Sequence, residues 1–342
     1  MKVWLPSIRA RSGADVYVGR LASALRKYGV DTLVQWFPHA LQYFPWALRA
    51  YPPPPRVDVI DTTSWIAFAF RHCSIPLVAN VLHCVAGRGY PEWKSLPQAV
   101  FHDQLVRRFE RTSLRIADAV VAISDSTSSE VREDFGVDRV RTIPLWVDTL
   151  IFSPSPDARQ ARSTSTRILI VGNMGRRKGG DLIGPFCDAL GQDFEVIVVA
   201  GLRGIAPRVS SRGAALTFVS GLTTDQLVAA YREADIVVSL SRHEGFGYTA
   251  LEGMACAKPV VAFNVSGLRD VIAEGKTGFL APAEDLGSLA GFCHRLRDDS
   301  RLATRYGEAG RDRAVTTFSE KRAIEARLAL YAELISSSGT HI

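Results

Sequence analysis

The chain has 342 residues, enough for two domains of roughly 150 residues each with its own core. Hydrophobic residues make up 47% and charged residues 22%, an ordinary globular balance, and no apolar run approaches the ~20 residues of a membrane span. The formal charge of +6 suits phosphorylated substrates or an anionic surface. Nucleic acid is not expected as a partner, because no helix-turn-helix, zinc-finger or RNP-like pattern accompanies that charge. Met1 leads directly into a strand-like Lys2-Val3-Trp4-Leu5 with no signal-peptide pattern, so a cytoplasmic location is expected. Strands are predicted over 2–5, 32–36, 57–60, 77–82, 119–123 and 140–143, and helices over 13–28, 98–116 and 126–135. Asp125-Ser126 supplies N-cap chemistry for the last of these. Residues 36–70 are crowded with aromatics (Trp36, Phe37, Tyr43, Phe44, Trp46, Tyr51, Trp65, Phe68, Phe70), and Pro52 to Pro55 make a stiff extended connection. Core packing plus a loop is the plain reading of this segment; an acceptor-binding or membrane-touching surface is the functional one.

Residues 153–166 are polar, rich in Ser, Thr and Pro, and lack an apolar period, as an inter-domain linker does. The alternation then restarts, with strands predicted over 167–171, 195–200, 216–219, 236–239 and 259–262 and helices over 181–190, 224–232 and 248–257. Residues 285–336 are helical in period. This is the pattern of an α/β protein with two doubly wound parallel sheets and a cleft between them, in which ligands sit outside the carboxyl ends of strands. The five cysteines (Cys73, Cys84, Cys187, Cys256, Cys293) form no Cys-x-x-Cys pair, which argues against a disulfide framework and a zinc site.

The segment Ser241-Arg-His-Glu-Gly-Phe-Gly-Tyr-Thr-Ala-Leu-Glu252 places an acidic, glycine-rich turn between a strand and a helix. Gly245 and Gly247 allow close backbone approach to a ligand, and the helix start at Tyr248 favours a negatively charged group. Glu244 is placed to accept hydrogen bonds from sugar hydroxyls. Glu252, eight residues on, projects from the helix on a related face and suits a grip on ribose hydroxyls.

Glu-x7-Glu with Glu-Gly-Phe-Gly resembles the signature of retaining glycosyltransferases of family 4, which have the GT-B fold. Ala255-Cys-Ala-Lys-Pro-Val-Val-Ala-Phe-Asn-Val-Ser-Gly-Leu-Arg-Asp-Val-Ile272 and Gly275-Lys-Thr-Gly-Phe-Leu280 are similar to the family's stretches on the C-terminal side of that signature. Ile168-Leu-Ile-Val-Gly-Asn-Met-Gly-Arg-Arg-Lys-Gly-Gly-Asp181 resembles its donor-phosphate loop. Lys178 matches, but Asn173 stands where an arginine is expected, and Arg176 or Arg177 is the candidate for the missing charge. In Arg9-Ala-Arg-Ser-Gly-Ala-Asp15, Gly13 matches a glycine that approaches the donor from the first domain. In Leu82-His83-Cys84, His83 matches a histidine facing the donor sugar, where an imidazole orients a hydroxyl or relays a proton. Ala117-Asp-Ala-Val-Val-Ala-Ile-Ser-Asp-Ser126 and the upstream Glu110 support the fold. Pro144-Leu-Trp-Val-Asp148 departs from the family's Pro-Asn-Gly-Val-Asp, a change that bears on the acceptor.

The resemblance implies a GT-B protein with two Rossmann-like domains facing across a cleft. Residues 1–152 are expected on the acceptor side, 153–166 as linker, 167–318 as the nucleotide-sugar domain, and 319–342 as a C-terminal helix packing back on the first domain. It implies transfer of a sugar from a UDP- or GDP-sugar, GDP-mannose among them, to an acceptor hydroxyl with retention, in bacterial polysaccharide or glycolipid assembly. His83 and Glu244 are the expected catalytic residues. Gly13, Asn173, Arg177, Lys178, Gly245, Phe246, Gly247, Tyr248, Thr249 and Glu252 are the expected donor contacts. No Asp-x-Asp occurs, and neither a metal nor a cofactor beyond the donor is expected. The acceptor is expected to be a saccharide or lipid-linked molecule. Arg107, Arg108, Arg111 and Arg115 cluster along one helix, with Arg107, Arg111 and Arg115 at i, i+4 and i+8, and suggest either peripheral contact with an anionic membrane on its cytoplasmic face or a solvated helix face. The alternative function is a non-catalytic nucleotide-sugar-binding or scaffold protein of the same fold.

Overall fold

The computed structural model describes residues 1–10, 12–72, 74–84, 100–155, 165–201 and 211–338. Arg11, Cys73 and most of the 153–166 connection lie outside them. The chain divides into two compact units, Met1–Leu145 with Glu320–Ile342, and Trp146–Ser319.

The first unit holds a six-stranded parallel sheet in the order β2-β1-β3-β4-β5-β6. Its strands are β1 (Lys2–Ile8), β2 (Asp31–Phe37), β3 (Val59–Thr63), β4 (Leu77–Val81), β5 (Ala119–Ala122) and β6 (Val140–Thr142). β1 pairs with β2 from Lys2↔Asp31 to Ile8↔Phe37 and with β3 at Val3↔Val59 and Trp4↔Ile60. Val3, Trp4 and Leu5 are all buried, as a strand covered on both faces requires. The sheet reverses its order between β1 and β3, so the turns after these strands open on a switch point. Helices α1 (Gly13–Lys27), α2 (Arg107–Ile116) and α3 (Asp125–Phe135) belong to this unit. Ser12 caps α1 and Ser124 caps α3, each accepting from a backbone N–H of the first turn.

The aromatic segment divides by exposure. Phe37, Leu48, Phe68 and Phe70 enter the core around Trp4, while Tyr43, Phe44, Trp46 and Tyr51 stay exposed on two short 3-10 helices, His39–Gln42 and Pro45–Ala50, and their ends. The C-terminal helix α10 (Glu320–Ser338) is fastened by a buried charge. Arg327 donates to Asp61 Oδ2 at 3.1 Å, to Asn80 Oδ1 at 2.6 Å and to the Tyr17 hydroxyl at 3.0 Å, and the Tyr331 hydroxyl donates to Asp61.

The second unit holds a parallel sheet in the order β12-β11-β10-β7-β8-β9. Its strands are β7 (Thr166–Gly172), β8 (Phe194–Ala200), β9 (Ala215–Ser220), β10 (Ile236–Ser239), β11 (Val260–Phe263) and β12 (Gly278–Ala281). From β7 the chain proceeds outward through β8 and β9; it then returns to place β10 on the other flank of β7 and proceeds outward through β11 and β12. The switch point therefore lies between β7 and β10, which pair at Ile236↔Ile168 and Val237↔Leu169. Around the sheet lie α4 (Ile183–Leu190), α5 (Thr224–Glu233), α6 (Tyr248–Ala255), α7 (Ser266–Val271), α8 (Leu286–Asp298) and α9 (Ser300–Thr316). β12 and α7, four and six residues long, are elements that the hydrophobic pattern did not announce. The helical stretch 285–336 is broken at Asp299, which ends α8 and caps α9 by accepting from Leu302 N–H, and again before α10.

Candidate functional site

The site is built on the two turns that leave the switch-point strands β7 and β10. The first carries Asn173 to Asp181. Arg176–Lys178 form one 3-10 turn, closed by Gly179 at φ +74°. A Cβ on Gly179 would lie 2.2 Å from Leu240 O, so only glycine lets the two turns touch through their backbones. The second turn runs from Leu240 to Gly247, which opens α6 at φ +107° with no side-chain cap. An uncapped helix start of this kind presents backbone N–H groups and a positive dipole end.

Hydrogen bonds knit the turns together. Arg242 N–H donates to Arg177 O at 2.8 Å, and Arg177 Nη1 donates to His243 O at 2.8 Å. The half-buried Lys178 ammonium and the buried Glu244 carboxylate form an ion pair through Oε1. Ser241 Oγ donates to the same oxygen at 2.8 Å, and Arg177 Nη1 stands 3.8 Å from Oε2. Burial alone would push the Glu244 carboxyl up, but Lys178, Arg177 and the bonds from Lys178 and Ser241 win, and it is lowered to about 2. Burial lowers the Lys178 ammonium from its ordinary value, Glu244 opposing that and Arg177 adding to it.

The α7 segment moulds the second turn from outside. Ser266 Oγ accepts from Glu244 N–H at 3.2 Å, and Gly267 N–H donates to Glu244 O at 2.9 Å. A Cβ on Gly267 would lie 2.6 Å from the Gly245 carbonyl and from Phe246 Cα. Phe246 is buried and meets Tyr248 and Phe318 edge-on, at 5.8 and 5.6 Å between ring centroids. Thr249 O and Glu252 Oε2 both accept from the Tyr231 hydroxyl, at 3.3 and 3.0 Å, which orients the buried Glu252 carboxylate.

The structure thus brings Arg177, Lys178, Glu244, Gly245, Phe246, Gly247, Tyr248, Thr249 and Glu252 to one end of the second sheet. Asn173 follows β7 directly and lies against Gly201, where an added Cβ would sit 2.5 Å from its Oδ1. Of the two arginines that stood as candidates for the missing charge, Arg177 faces the Glu244 carboxylate, whereas Arg176 is exposed. Gly13 and His83 belong to the first unit. Gly13 is the first residue of α1, with open space where a Cβ would stand. His83 is half-buried, two residues beyond the end of β4. Leu145 and Trp146, where the family's pattern has Asn-Gly, are both buried. Arg107 turns toward α3, where it donates to Asp134 O at 3.4 Å, and the exposed guanidinium groups on α2 are Arg108, Arg111 and Arg115.

Sequence reasoning missed Ser241, Ser266, Gly267 and Tyr231. Each is a residue whose role depends on a contact across the fold. Ser241, Ser266 and Gly267 lay inside the motif segments without standing out in them, and Tyr231 lay outside those segments. Among the described residues, no group of three or more His, Cys, Asp or Glu stands close enough to hold a metal ion.

Two family models match the chain: Glycosyltransferase Family 4 over residues 26–149 and Glycosyl transferases group 1 over residues 155–313. D-inositol 3-phosphate glycosyltransferase of Xylanimonas cellulosilytica is 30% identical over 311 residues, 81% of this chain and 72% of that protein. The enzyme of the same name from Paenarthrobacter aurescens is 30% identical over 252 residues, 67% of this chain. Those residues amount to 62% of that relative, so the chain spans less than two thirds of its length. Among solved structures, sucrose-phosphate synthase from Thermosynechococcus elongatus superposes with a TM-score of 0.83 at 22% identity, covering 98% of this chain and 100% of that one. Two Rossmann-like units, each matched by its own family model, and a relative 30% identical over 81% of this chain place the chain: it belongs to the family 4, group 1 glycosyltransferases of the GT-B fold.

Proposed function

We propose that this chain is a retaining glycosyltransferase that moves a sugar from a UDP- or GDP-sugar to an acceptor hydroxyl. The observation that carries the reading is the placement of Lys178, Arg177, Glu244 and an uncapped helix start around the β7–β10 switch point, where open α/β sheets take their ligands. In the reaction, the acceptor oxygen bonds to the anomeric carbon on the face that the diphosphate leaves. The bond from that carbon to the diphosphate oxygen breaks, and the acceptor proton passes to the departing diphosphate. Lys178, Arg177 and the backbone amides at the start of α6 meet the charge that develops there, which is preorganised electrostatic stabilisation. Glu244 and the backbone of 246–248 hold the sugar, and Glu252 the ribose. Gly13 and His83 serve the sugar from the first unit, in keeping with the family's pattern.

The acceptor is a saccharide, a phosphorylated polyol or a lipid-linked molecule. The relatives named for D-inositol 3-phosphate support the second of these. The exposed Tyr43, Phe44, Trp46 and Tyr51, close to α2 through the Trp46–Phe109 ring contact at 6.1 Å, support peripheral attachment to an anionic lipid surface, with Arg49, Arg108, Arg111 and Arg115 as its basic complement. No helix among the described residues is long and apolar enough to cross a membrane. Cosedimentation with phosphatidylserine vesicles, weakened by Trp46→Ala and by salt, tests that attachment.

The donor reading is tested by thermal stabilisation with UDP, GDP and their sugar conjugates. A ligand at a hundred times its Kd adds about 2.7 kcal/mol to a native state that alone binds it. Selective stabilisation by one nucleotide, lost in Glu252→Ala, is expected. Release of the diphosphate on adding acceptor, with the product's anomeric configuration read by NMR, completes the test. A folded protein that no sugar nucleotide stabilises refutes the reading.

A further inference from the structure

Arg242 lies two residues before Glu244, yet its guanidinium is engaged elsewhere. It is almost wholly buried and grips Asp181 with both ends, Nη1 to Oδ1 at 2.7 Å and Nη2 to Oδ2 at 3.0 Å. Nη1 also donates to Arg176 O at 2.5 Å. On its other edge, Nη2 donates to Glu284 Oε2 at 3.3 Å, and Nε makes an ion-pair contact with Oε1 at 2.9 Å. Through its side chain and its own N–H, Arg242 therefore holds the first turn at Arg176 O, Arg177 O and Asp181. These points bracket Lys178 on both sides.

Three features argue that this is more than a surface staple. Arg176, Arg177 and Lys178 are three consecutive cations whose mutual repulsion works against a tight turn, and Asp181 is the carboxylate placed beside them. A bidentate guanidinium–carboxylate pair fixes orientation as well as distance, which a lysine in the same place would not. Glu284 sits at φ +64°, a left-handed conformation that is uncommon and costly for a side chain of its type. Its carboxylate is nevertheless the one that closes the guanidinium's open edge, so the strained backbone supplies a group that a glycine there would lack.

We infer that Arg242, Asp181 and Glu284 form a positioning unit for the donor diphosphate: they set Arg177 and Lys178 at their spacing from Glu244 before any donor arrives. They act through the turn they hold. Preorganisation of this kind shows up as affinity, because an ordered cationic turn loses less entropy on binding. The inference rests on the donor-site reading proposed for this chain.

The variants Arg242→Lys, Asp181→Asn and Glu284→Gly test it, with UDP and GDP binding followed by calorimetry and thermal stability measured on the same samples. Glu284→Gly is the decisive one, since it removes the carboxylate while relieving the left-handed strain. The expected result is a melting temperature unchanged or raised, together with nucleoside diphosphate affinity weakened about tenfold. Arg242→Lys is expected to weaken affinity similarly despite keeping the charge. Variants that lower the melting temperature while leaving diphosphate affinity within about twofold of the parent overturn the inference and leave the donor site standing. A parent protein that binds neither UDP nor GDP overturns the donor-site reading and this inference with it.

Discussion

The Lys178 ammonium and the Glu244 carboxylate are paired although 66 residues separate them, each on a turn that leaves one of two adjacent strands. In the donor reading proposed above, an incoming diphosphate meets a cation already held in place by a carboxylate, and that carboxylate is held in turn by Ser241 and Arg177. Binding can then share the lysine instead of having to order it.

Removing the cation is therefore expected to cost transition-state stabilisation. Lys178→Ala should lower kcat/KM for the sugar-nucleotide donor by about 10²–10³-fold, the usual loss when one preorganised donor to developing charge is deleted. Steady-state rates of nucleoside diphosphate release measure this directly. A loss below about fivefold would remove Lys178 from the reaction.

Acid stability should report Glu244. Its carboxyl is lowered from 4.5 to about 2, so the folded protein binds this proton more weakly than the unfolded chain does. The stabilisation from this group is complete above about pH 4.5 and is lost as pH falls through about 2. Urea unfolding across that interval should show a smaller decline for Glu244→Gln than for the parent. Equal slopes would mean that the carboxylate gains nothing from its partners.

Gly267→Ala tests the mould behind the second turn. A methyl group there has 2.6 Å to backbone atoms of Gly245 and Phe246, so the turn must move by several tenths of an ångström. Donor affinity is expected to fall by about tenfold or more, since small displacements of a preorganised site are costly. Isothermal titration with the nucleotide that stabilises the parent gives the comparison.

Arg327 provides a test of stability within the first unit. Arg327→Ala leaves Asp61 as a buried charge without its guanidinium partner and is expected to cost about 3–5 kcal/mol in equilibrium unfolding. Asp61→Asn combined with Arg327→Met should recover part of that loss, because no unpaired charge remains. If the double variant is as unstable as Arg327→Ala, packing of α10 is the main term and the ion pair a minor one.

Local chemistry made much of this legible. Apolar runs such as Ile168–Val171 and Val237–Val238 have no polar member to turn outward, so they read as strands of covered parallel sheets. The turn 241–247 was readable because glycine, a carboxylate and a following helix start combine within one short stretch, where geometry is set by bonded neighbours. The same logic made Lys178 stand out, yet it could not pair Lys178 with Glu244. That pairing depends on strand order, which puts β10 beside β7 and so brings position 178 to position 244.

What the sequence determined by itself was therefore the class of fold, the position of the acidic glycine-rich turn and the residue types available for a phosphate. The tertiary structure alone decided the contacts across chain separation. It buried Arg327 against Asp61, faced Arg242 toward Asp181 and Glu284, put Ser266 and Gly267 behind Glu244, and divided the aromatic segment into core and surface. The reason is physical. Periodicity and turn chemistry act over a few residues, whereas pairing a buried charge requires partners that only the finished strand order brings within reach.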